Sequence, residues 1–229
     1  MEILKRDSLN EGGFAGLREH RLIKEPELFG PQANIDGSWP GKINGLGNFI
    51  YLADARFKPH GETHMHSHHE VDVISVMVDG NISHEGSLEH GKNLTKNDVQ
   101  IQRAGGEGFS HNEVNPDDDW NRLIQLWVLP EVAGQPTDYK VYTPLTGELT
   151  RIYGGDENDK ADFPAKTKLD IAVLRNEQQI EVNKPFLAYI TRGNGLLNGE
   201  SVVDGDLIRG ESIKFKAQSD TQLIIIHFE

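Results

Sequence analysis

The segment from His66 to Gly80 reads HSHHEVDVISVMVDG, a histidine-rich start followed by a β-branched run and a turn. Val and Ile dominate Val71–Val78, and Asp79-Gly80-Asn81 is a sequence typical of turns. In a β-strand, side chains two positions apart point to the same face. The segment therefore predicts a buried strand preceded by two histidines, His66 and His68, that share one face.

Short strand-like segments separated by Gly, Asp and Asn turns recur along the rest of the chain. Leu123–Leu129 and Leu223–Phe228 are two such segments, and Glu85-Gly86-Ser87 and Asp204-Gly205-Asp206 are two such turns. Regular spacing of short strands and turns favours an all-β sandwich or barrel. The one helical turn that we predict is at Pro26–Phe29, where proline suits the first helical position.

The chain divides into two strand-rich blocks. The first runs from about Leu46 to Tyr142, and the second from Leu169 to the end, with the polar segment Thr146–Lys168 between them as a predicted connector or exposed edge region. We predict two domains, residues 1–146 and residues 147–229.

The two blocks share a loose pattern that suggests a degenerate internal duplication. In each block a turn follows a buried strand, and a later strand begins at Asp98-Val99 or at Asp206-Leu207. The second block has no histidine before His227, so we expect it to be free of metal.

Composition excludes several classes of function. The chain has 23 basic and 36 acidic residues and a net charge of −13, which argues against nucleic acid or an anionic membrane as the main partner. It has no cysteine, so a bound metal must use nitrogen and oxygen ligands. The N-terminal sequence MEILKRDSLNEGGF lacks an apolar signal segment, and we expect a cytoplasmic protein.

A second pair of candidate ligands lies downstream at His111 and Glu113, again two positions apart. If this strand pairs with the first, three imidazoles and one carboxylate converge, with His66 and His68 completing the set. Such a set leaves open positions on iron, manganese, nickel, cobalt, copper or zinc. The sequence therefore predicts a metal site, and the alternative is a solvated histidine cluster that acquires metal adventitiously.

Neighbouring residues receive less specific interpretations. Continuing the alternation beyond His68 predicts that Asp72, Ile74, Val76 and Val78 face the interior of the barrel. The histidines at 84 and 90 fall in the hairpin region after the turn, and we interpret them as turn or surface residues rather than ligands.

These residues together resemble the pirin family. The stretches that carry the resemblance are His66–Gly80, His84–Leu88, Asp98–Gln100, Ala104–Glu113 and Gln125–Glu131. The resemblance implies two tandem cupin barrels, each a double-stranded β-helix or jelly roll. It also implies a metal, usually iron, in the N-terminal barrel only.

The family pattern has a His-Pro-His pair, a glutamate four residues further on, and a later His-x-Glu pair. Counting back from Gly80 without a gap places the histidine pair on His66 and His68 and the glutamate position on Asp72. Pairing His64 with His66 is the alternative, and it needs a two-residue insertion. The chain departs from the pattern in its His-Ser-His pair, in the aspartate at 72, and in the lack of an aromatic-rich opening.

The resemblance implies two kinds of function. The first is a quercetin 2,3-dioxygenase-like oxidoreductase that uses Fe(II) and dioxygen on a flavonol or enediol, with Glu113 leaving the metal to act as general base. The alternative is a non-catalytic, redox-sensing module that binds a regulatory protein partner. A scaffold that has lost its metal is the third possibility, and in each case we expect a monomer.

Overall fold

The computed structural model describes residues 1–24, 45–156 and 162–228. In these residues the only helical element is a 3-10 turn at Arg6–Ser8, and none is long and apolar enough to cross a membrane. The prediction of an all-β fold is confirmed. The helical turn predicted at Pro26–Phe29 lies outside the described residues.

Twenty strands make up the described part of the chain. In chain order they are β1 Glu2–Lys5, β2 Leu17–Lys24, β3 Phe49–Phe57, β4 His66–His68, β5 Asp72–Asp79, β6 Ile82–Gly86, β7 His90–Leu94, β8 Val99–Arg103, β9 Phe109–Val114, β10 Arg122–Val128, β11 Asp138–Tyr142, β12 Leu149–Gly155, β13 Ala165–Leu174, β14 Gln179–Val182, β15 Phe186–Arg192, β16 Asn194–Leu197, β17 Glu200–Val203, β18 Asp206–Gly210, β19 Ile213–Ala217 and β20 Thr221–Phe228.

The strands belong to two compact units with the same strand order. The first unit comprises Leu9–Pro40 and Ile50–Thr143, and the second comprises Met1–Ser8, Gly41–Phe49 and Pro144–Glu229. In the first unit a six-stranded sheet has the order β11-β8-β5-β10-β3-β2 and a four-stranded sheet the order β4-β9-β6-β7. In the second unit the orders are β1-β18-β15-β20-β13-β12 and β14-β19-β16-β17. This repetition agrees with the predicted duplication, and the prediction of two jelly-roll units is confirmed.

The division of the chain differs from the predicted one at the first strand. Met1–Ser8 belong to the second unit because β1 pairs antiparallel with β18, with Glu2 opposite Arg209. The Lys5 Nζ also lies 2.8 Å from the Asp206 carboxylate. An edge strand that pairs with a distant part of the sequence leaves no local signal.

The segment predicted as a connector contains a strand. Within Thr146–Lys168, β12 pairs with β13 and buries Ile152 and Tyr153. The connector alternative was therefore wrong here, because the charged residues of the segment concealed two core side chains, whereas the edge alternative agrees with β12, which is the last strand of its sheet.

Each unit has its own apolar core. The second unit has one large cluster: Ala172, Leu174, Phe186, Ala188, Ile190, Leu197, Val202, Ile208, Ile213, Phe215, Ala217, Leu223 and Ile225. In the first unit the described clusters are smaller, and the largest of these comprises Leu17, Ala55, Phe57, Met77, Ile82, Leu94 and Leu123. The candidate site lies in the first unit.

Candidate metal centre

Three of the predicted ligands meet where β4 pairs with β9. His66 lies directly opposite His111 and His68 opposite Phe109, so alternation turns all three imidazoles to one face. The His111 Nε2 is 3.0 Å from the His66 Nε2 and 3.1 Å from the His68 Nε2. These three histidines form the group of described residues that could hold a metal ion. We call them the histidine cluster.

The spacing of the nitrogens fits a transition metal. Metal–nitrogen bonds of about 2.0–2.1 Å at right angles place two ligand nitrogens about 3.0 Å apart. The separations at His111 match this value. The His66 Nδ1–H donates a hydrogen bond to the main-chain carbonyl of His64 at 2.9 Å, which leaves the His66 Nε2 lone pair for a metal.

Burial keeps two of these imidazoles, those of His68 and His111, in the form that binds metal. It lowers the pKa of His68 to about 4, with a further contribution from the charge of His66. Burial lowers the pKa of His111 much further, and His68 and His66 add to the effect. Only the neutral imidazole has a lone pair to donate, so the cluster is pre-set for coordination at neutral pH.

The fourth predicted ligand, Glu113, is not a member of the histidine cluster. Its carboxylate accepts a hydrogen bond from the Ser75 hydroxyl at 2.7 Å, and its main-chain N–H donates to the Thr63 hydroxyl. Burial raises the pKa of Glu113, although Ser75 and the charge of His66 oppose the rise. The metal-ligand and base roles of Glu113 therefore stay predictions.

The alternative ligand, His64, contacts the site through its main-chain carbonyl, which accepts the hydrogen bond from His66, and not through its ring. Its side chain is exposed, and its Nδ1 lies 3.5 Å from the Glu62 carboxylate. The left-handed backbone at His64, with φ of 65°, turns the chain just before β4. His64 is absent from the histidine cluster.

The predicted alternation beyond His68 was wrong. In the structure Ser75, not Ile74 or Val76, reaches Glu113, and Ser75 lies opposite the cavity residue Gln125. A left-handed residue, Glu70 with φ of 52°, separates β4 from β5, so the alternation restarts in the opposite phase. The aspartate at the family's glutamate position, Asp72, is instead buried in an ion pair 2.9 Å from Arg103.

His84 is a site residue that the sequence prediction missed. It is fully buried, its ring centroid lies 5.5 Å from that of His111, and burial lowers its pKa to about 4. Among the described residues neither of its ring nitrogens has a hydrogen-bond partner. The surface interpretation holds for His90, which is exposed, but was wrong for His84.

The sequence feature that indicates the buried position of His84 is Gly86, which the pattern Glu85-Gly86-Ser87 predicts to be part of a turn. Gly86 lies inside β6, and a β-carbon there would come within 2.9 Å of the His84 Nε2. A glycine inside a strand often marks the close approach of another group. Here it admits the His84 ring beside His111.

The histidine cluster opens onto a cavity of about 620 Å³ in the first unit. Tyr51 and Trp127 stack at 4.7 Å on its wall, and the Trp127 ring meets the His68 ring edge-on at 5.3 Å. Elsewhere on the wall, buried Glu19 accepts hydrogen bonds from the Tyr51 hydroxyl at 3.1 Å and the Arg21 Nε at 2.8 Å. The cavity can therefore hold a flat organic molecule beside the three imidazoles.

The fold and site define the class. Two jelly-roll units, one of which carries a histidine cluster that could hold a metal ion, are the architecture of a bicupin. The Pirin family model matches residues 41–128. The resemblance to the pirin family seen in the sequence is confirmed, because pirin-like proteins are also among the relatives and the solved structures to which this chain is similar.

Individual proteins agree with this assignment. A quercetin 2,3-dioxygenase of Escherichia coli O157:H7 is 26% identical over 174 residues, or 70% of this chain and 73% of the relative. A pirin-like protein of Caulobacter vibrioides is 24% identical over 92% of this chain and 94% of its own length. The bacterial pirin YhhW of Escherichia coli, in complex with nickel(II), matches with a TM-score of 0.80 and 17% identity over 99% of this chain and 98% of YhhW.

Proposed function

We propose that this chain is a metal-dependent dioxygenase that oxidises a flavonol-like or enediol substrate, as quercetin 2,3-dioxygenases do. The observation that carries the proposal is the opening of the histidine cluster onto the aromatic-walled cavity. The name of the Escherichia coli relative at 26% identity supports it. Fe(II) is the first candidate metal, and Ni(II) follows because YhhW is known with nickel.

The residues present fit such a metal. His66, His68 and His111 would hold it, and it would supply Lewis acidity and open coordination positions for the substrate oxygen and dioxygen. The protein supplies the surrounding cavity, whose volume lies within the range of about 300–1,000 Å³ common for small-molecule sites.

The cavity wall orients a planar substrate. Tyr51 and Trp127 present aromatic surface beside His68, against which a phenolic ring packs. Gln125, whose amide lies 3.5 Å from the Ser75 hydroxyl, supplies a polar group on the same wall. The aromatic side chains thus bind the ring system, and the polar groups face its hydroxyls.

Glu113 is suited to take the proton from a substrate hydroxyl. It lines the cavity, and burial raises the pKa of its carboxyl group above the usual value, which makes the carboxylate a stronger base. The hydroxyl of Ser75 holds the carboxylate in place. The proton moves from the substrate oxygen to a carboxylate oxygen of Glu113, and the substrate is left as an anion.

The test is an aerobic turnover assay after anaerobic loading with Fe(II), Mn(II), Ni(II), Cu(II) or Zn(II). We expect metal-dependent loss of quercetin together with oxygen uptake, and none in His111→Ala. The Glu113→Gln variant should keep its metal and lose about 10²–10⁴-fold in kcat, the usual contribution of general-base catalysis. Glu107→Gln, which changes an exposed carboxylate that does not line the cavity, should retain activity.

Two results would contradict the proposal. Protein that binds metal but consumes neither flavonols nor enediols is not a dioxygenase of this class, and the non-catalytic module with a regulatory partner then becomes the hypothesis to test. If Glu113→Gln loses its metal, the glutamate acts as a ligand rather than as the base.

A further inference from the structure

Gln102 is a buried polar residue next to the histidine cluster. It lies on β8, is fully buried, and places its Nε2 3.1 Å from the Nδ1 of His111. Its other amide atom, Oε1, is buried without a hydrogen-bond partner among the described residues. A buried acceptor that lacks a partner is unfavourable and needs an explanation.

Metal binding fixes where the proton of His111 must be. The His111 Nε2 points to the other two Nε2 atoms, so coordination there requires a free Nε2 lone pair and a proton on Nδ1. The Nδ1–H then needs an acceptor, as His66 finds one in the His64 carbonyl. The group next to the His111 Nδ1 is the Gln102 side chain.

If the Gln102 Nε2 faces a protonated His111 Nδ1, two N–H donors face each other and no hydrogen bond can form between them. A half-turn about its last side-chain bond exchanges the oxygen and nitrogen with almost no change in shape. The oxygen then accepts the hydrogen bond from the His111 Nδ1, and the unpartnered acceptor is satisfied. The exchange moves the amino group to the position that Oε1 occupies now, where no hydrogen-bond partner lies among the described residues.

We propose that Gln102 is the positioning residue of His111, with its amide oxygen accepting the Nδ1–H and so holding Nε2 towards His66 and His68. This role rests on the metal binding in the proposed function and is independent of the substrate. Outer hydrogen bonds of this kind fix the tautomer and orientation of a ligating imidazole.

Three variants test the role by Zn(II) affinity, measured by competition with a chromophoric chelator. Gln102→Met removes the acceptor at similar volume, and we expect the Kd to rise about 10–100-fold. Gln102→Glu keeps an acceptor and should bind nearly as tightly as wild type. Gln100→Met is the matched control, because Gln100 is also fully buried on β8 but bonds to Tyr139 instead.

A spectroscopic measurement complements the titration. In zinc-loaded wild type, ¹⁵N NMR should identify the His111 Nδ1 as the protonated nitrogen, and Gln102→Met should alter that signal. Circular dichroism of the metal-free variants verifies that each is folded. If Gln102→Met does not fold, the Kd of Gln102→Glu and the ¹⁵N signal of wild type still test the role.

The outcomes separate the two proposals. Wild type that binds no Zn(II), Ni(II) or Fe(II) overturns the proposed function and this role with it. Wild type that binds Zn(II), with an unchanged Kd in Gln102→Met, overturns the positioning role alone. Equal weakening in Gln102→Glu and Gln102→Met also overturns it, because the acceptor then makes no difference.

Discussion

The two units share a strand order but differ in the side chains on the first two strands of their four-stranded sheets. In the first unit, β4 and β9 present the histidine cluster. In the second, β14 and β19 take the same places; Ile180 lies opposite the fully buried Phe215, and both Ile180 and Val182 pack against the apolar cluster to which Phe215 belongs. An apolar inner face thus folds into the same sheets, so the fold itself does not need the histidines. Buried polar groups that the fold can do without indicate function.

The polar residues of the two units also differ in how well they are satisfied. In the second unit Asp170 accepts hydrogen bonds from the His227 Nε2 at 2.8 Å and from Arg151. Burial pushes the pKa of Asp170 up, but these partners outweigh it and the pKa is lowered. In the first unit His84 is buried with neither ring nitrogen partnered among the described residues. Both carboxylate oxygens of Asp170 thus have partners, whereas His84 has none on either ring nitrogen; the His227 Nδ1 in the second unit is also without a partner among the described residues.

The largest expected effect is a loss of metal affinity when the three histidines of the first unit are replaced by the side chains at the corresponding positions of the second. The triple variant His66→Ile, His68→Val and His111→Phe should lose far more metal affinity than the roughly 10–100-fold that removal of one outer partner produces. Because apolar side chains replace one buried and two partly buried imidazoles, the metal-free variant should remain folded. Chelator competition and circular dichroism measure the two properties. Retained metal in a folded variant would contradict the assignment of the cluster.

The next effect concerns the apolar core of the second unit. Phe215→Ala should lower the free energy of unfolding by about 3–5 kcal/mol, because it leaves a cavity in a closely packed core. Metal affinity should not change, because Phe215 belongs to the second unit. Urea unfolding followed by far-UV circular dichroism measures the loss. Phe14→Ala is the control, since Phe14 is 49% exposed.

A smaller effect is expected at Gly86, where the first unit makes room for His84. A β-carbon there would lie 2.9 Å from both the His84 Nε2 and the Ser110 carbonyl oxygen. Gly86→Ala should therefore lower the free energy of unfolding by about 1–3 kcal/mol through overpacking. Gly12→Ala, whose β-carbon would meet nothing closer than 3.8 Å, is the matched control. Equal stability of the two variants in urea would show that the His84 pocket tolerates the methyl group.

The smallest effect is the pH dependence of the metal-free protein. The pKa values of His68 and His84 are lowered to about 4 in the fold, against about 6.5 in an unfolded chain. Below about pH 6.5 the unfolded chain takes up protons that the folded chain does not, so stability should fall from there towards pH 4. The raised pKa of Glu113 acts in the opposite sense, but the histidines outnumber it.

Thermal unfolding of metal-free protein between pH 7 and pH 4 measures this slope. The triple variant lacks two of the depressed imidazoles, His68 and His111, and should show a shallower slope than wild type. Identical slopes in the two proteins would mean that other groups set the pH dependence.

The sequence predicted the elements that depend on local pattern. The β-branched run before Gly80 became β5, the C-terminal apolar run became β20, and the alternating histidines converged as predicted. Ser75 and His84 were missed for a physical reason. Alternation continues only while a strand is unbroken, and the left-handed Glu70 resets it. The pairing of β6 with β9 brings His84 next to the histidine cluster, and this long-range pairing is not specified by the sequence around His84, where Gly86 is the local sign of a close approach.

The pairing of β1 with β18 has a consequence for the order of folding during synthesis. Glu2 lies opposite Arg209, so the ribosome makes one strand of this pair more than two hundred residues before the other. Until β1 docks, the edge of β18 exposes unpaired main-chain groups that can recruit other chains. Such long-range pairing also slows folding, because the distant ends must first meet. The second unit therefore completes its six-stranded sheet only after β18 has been synthesised and β1 has paired with it.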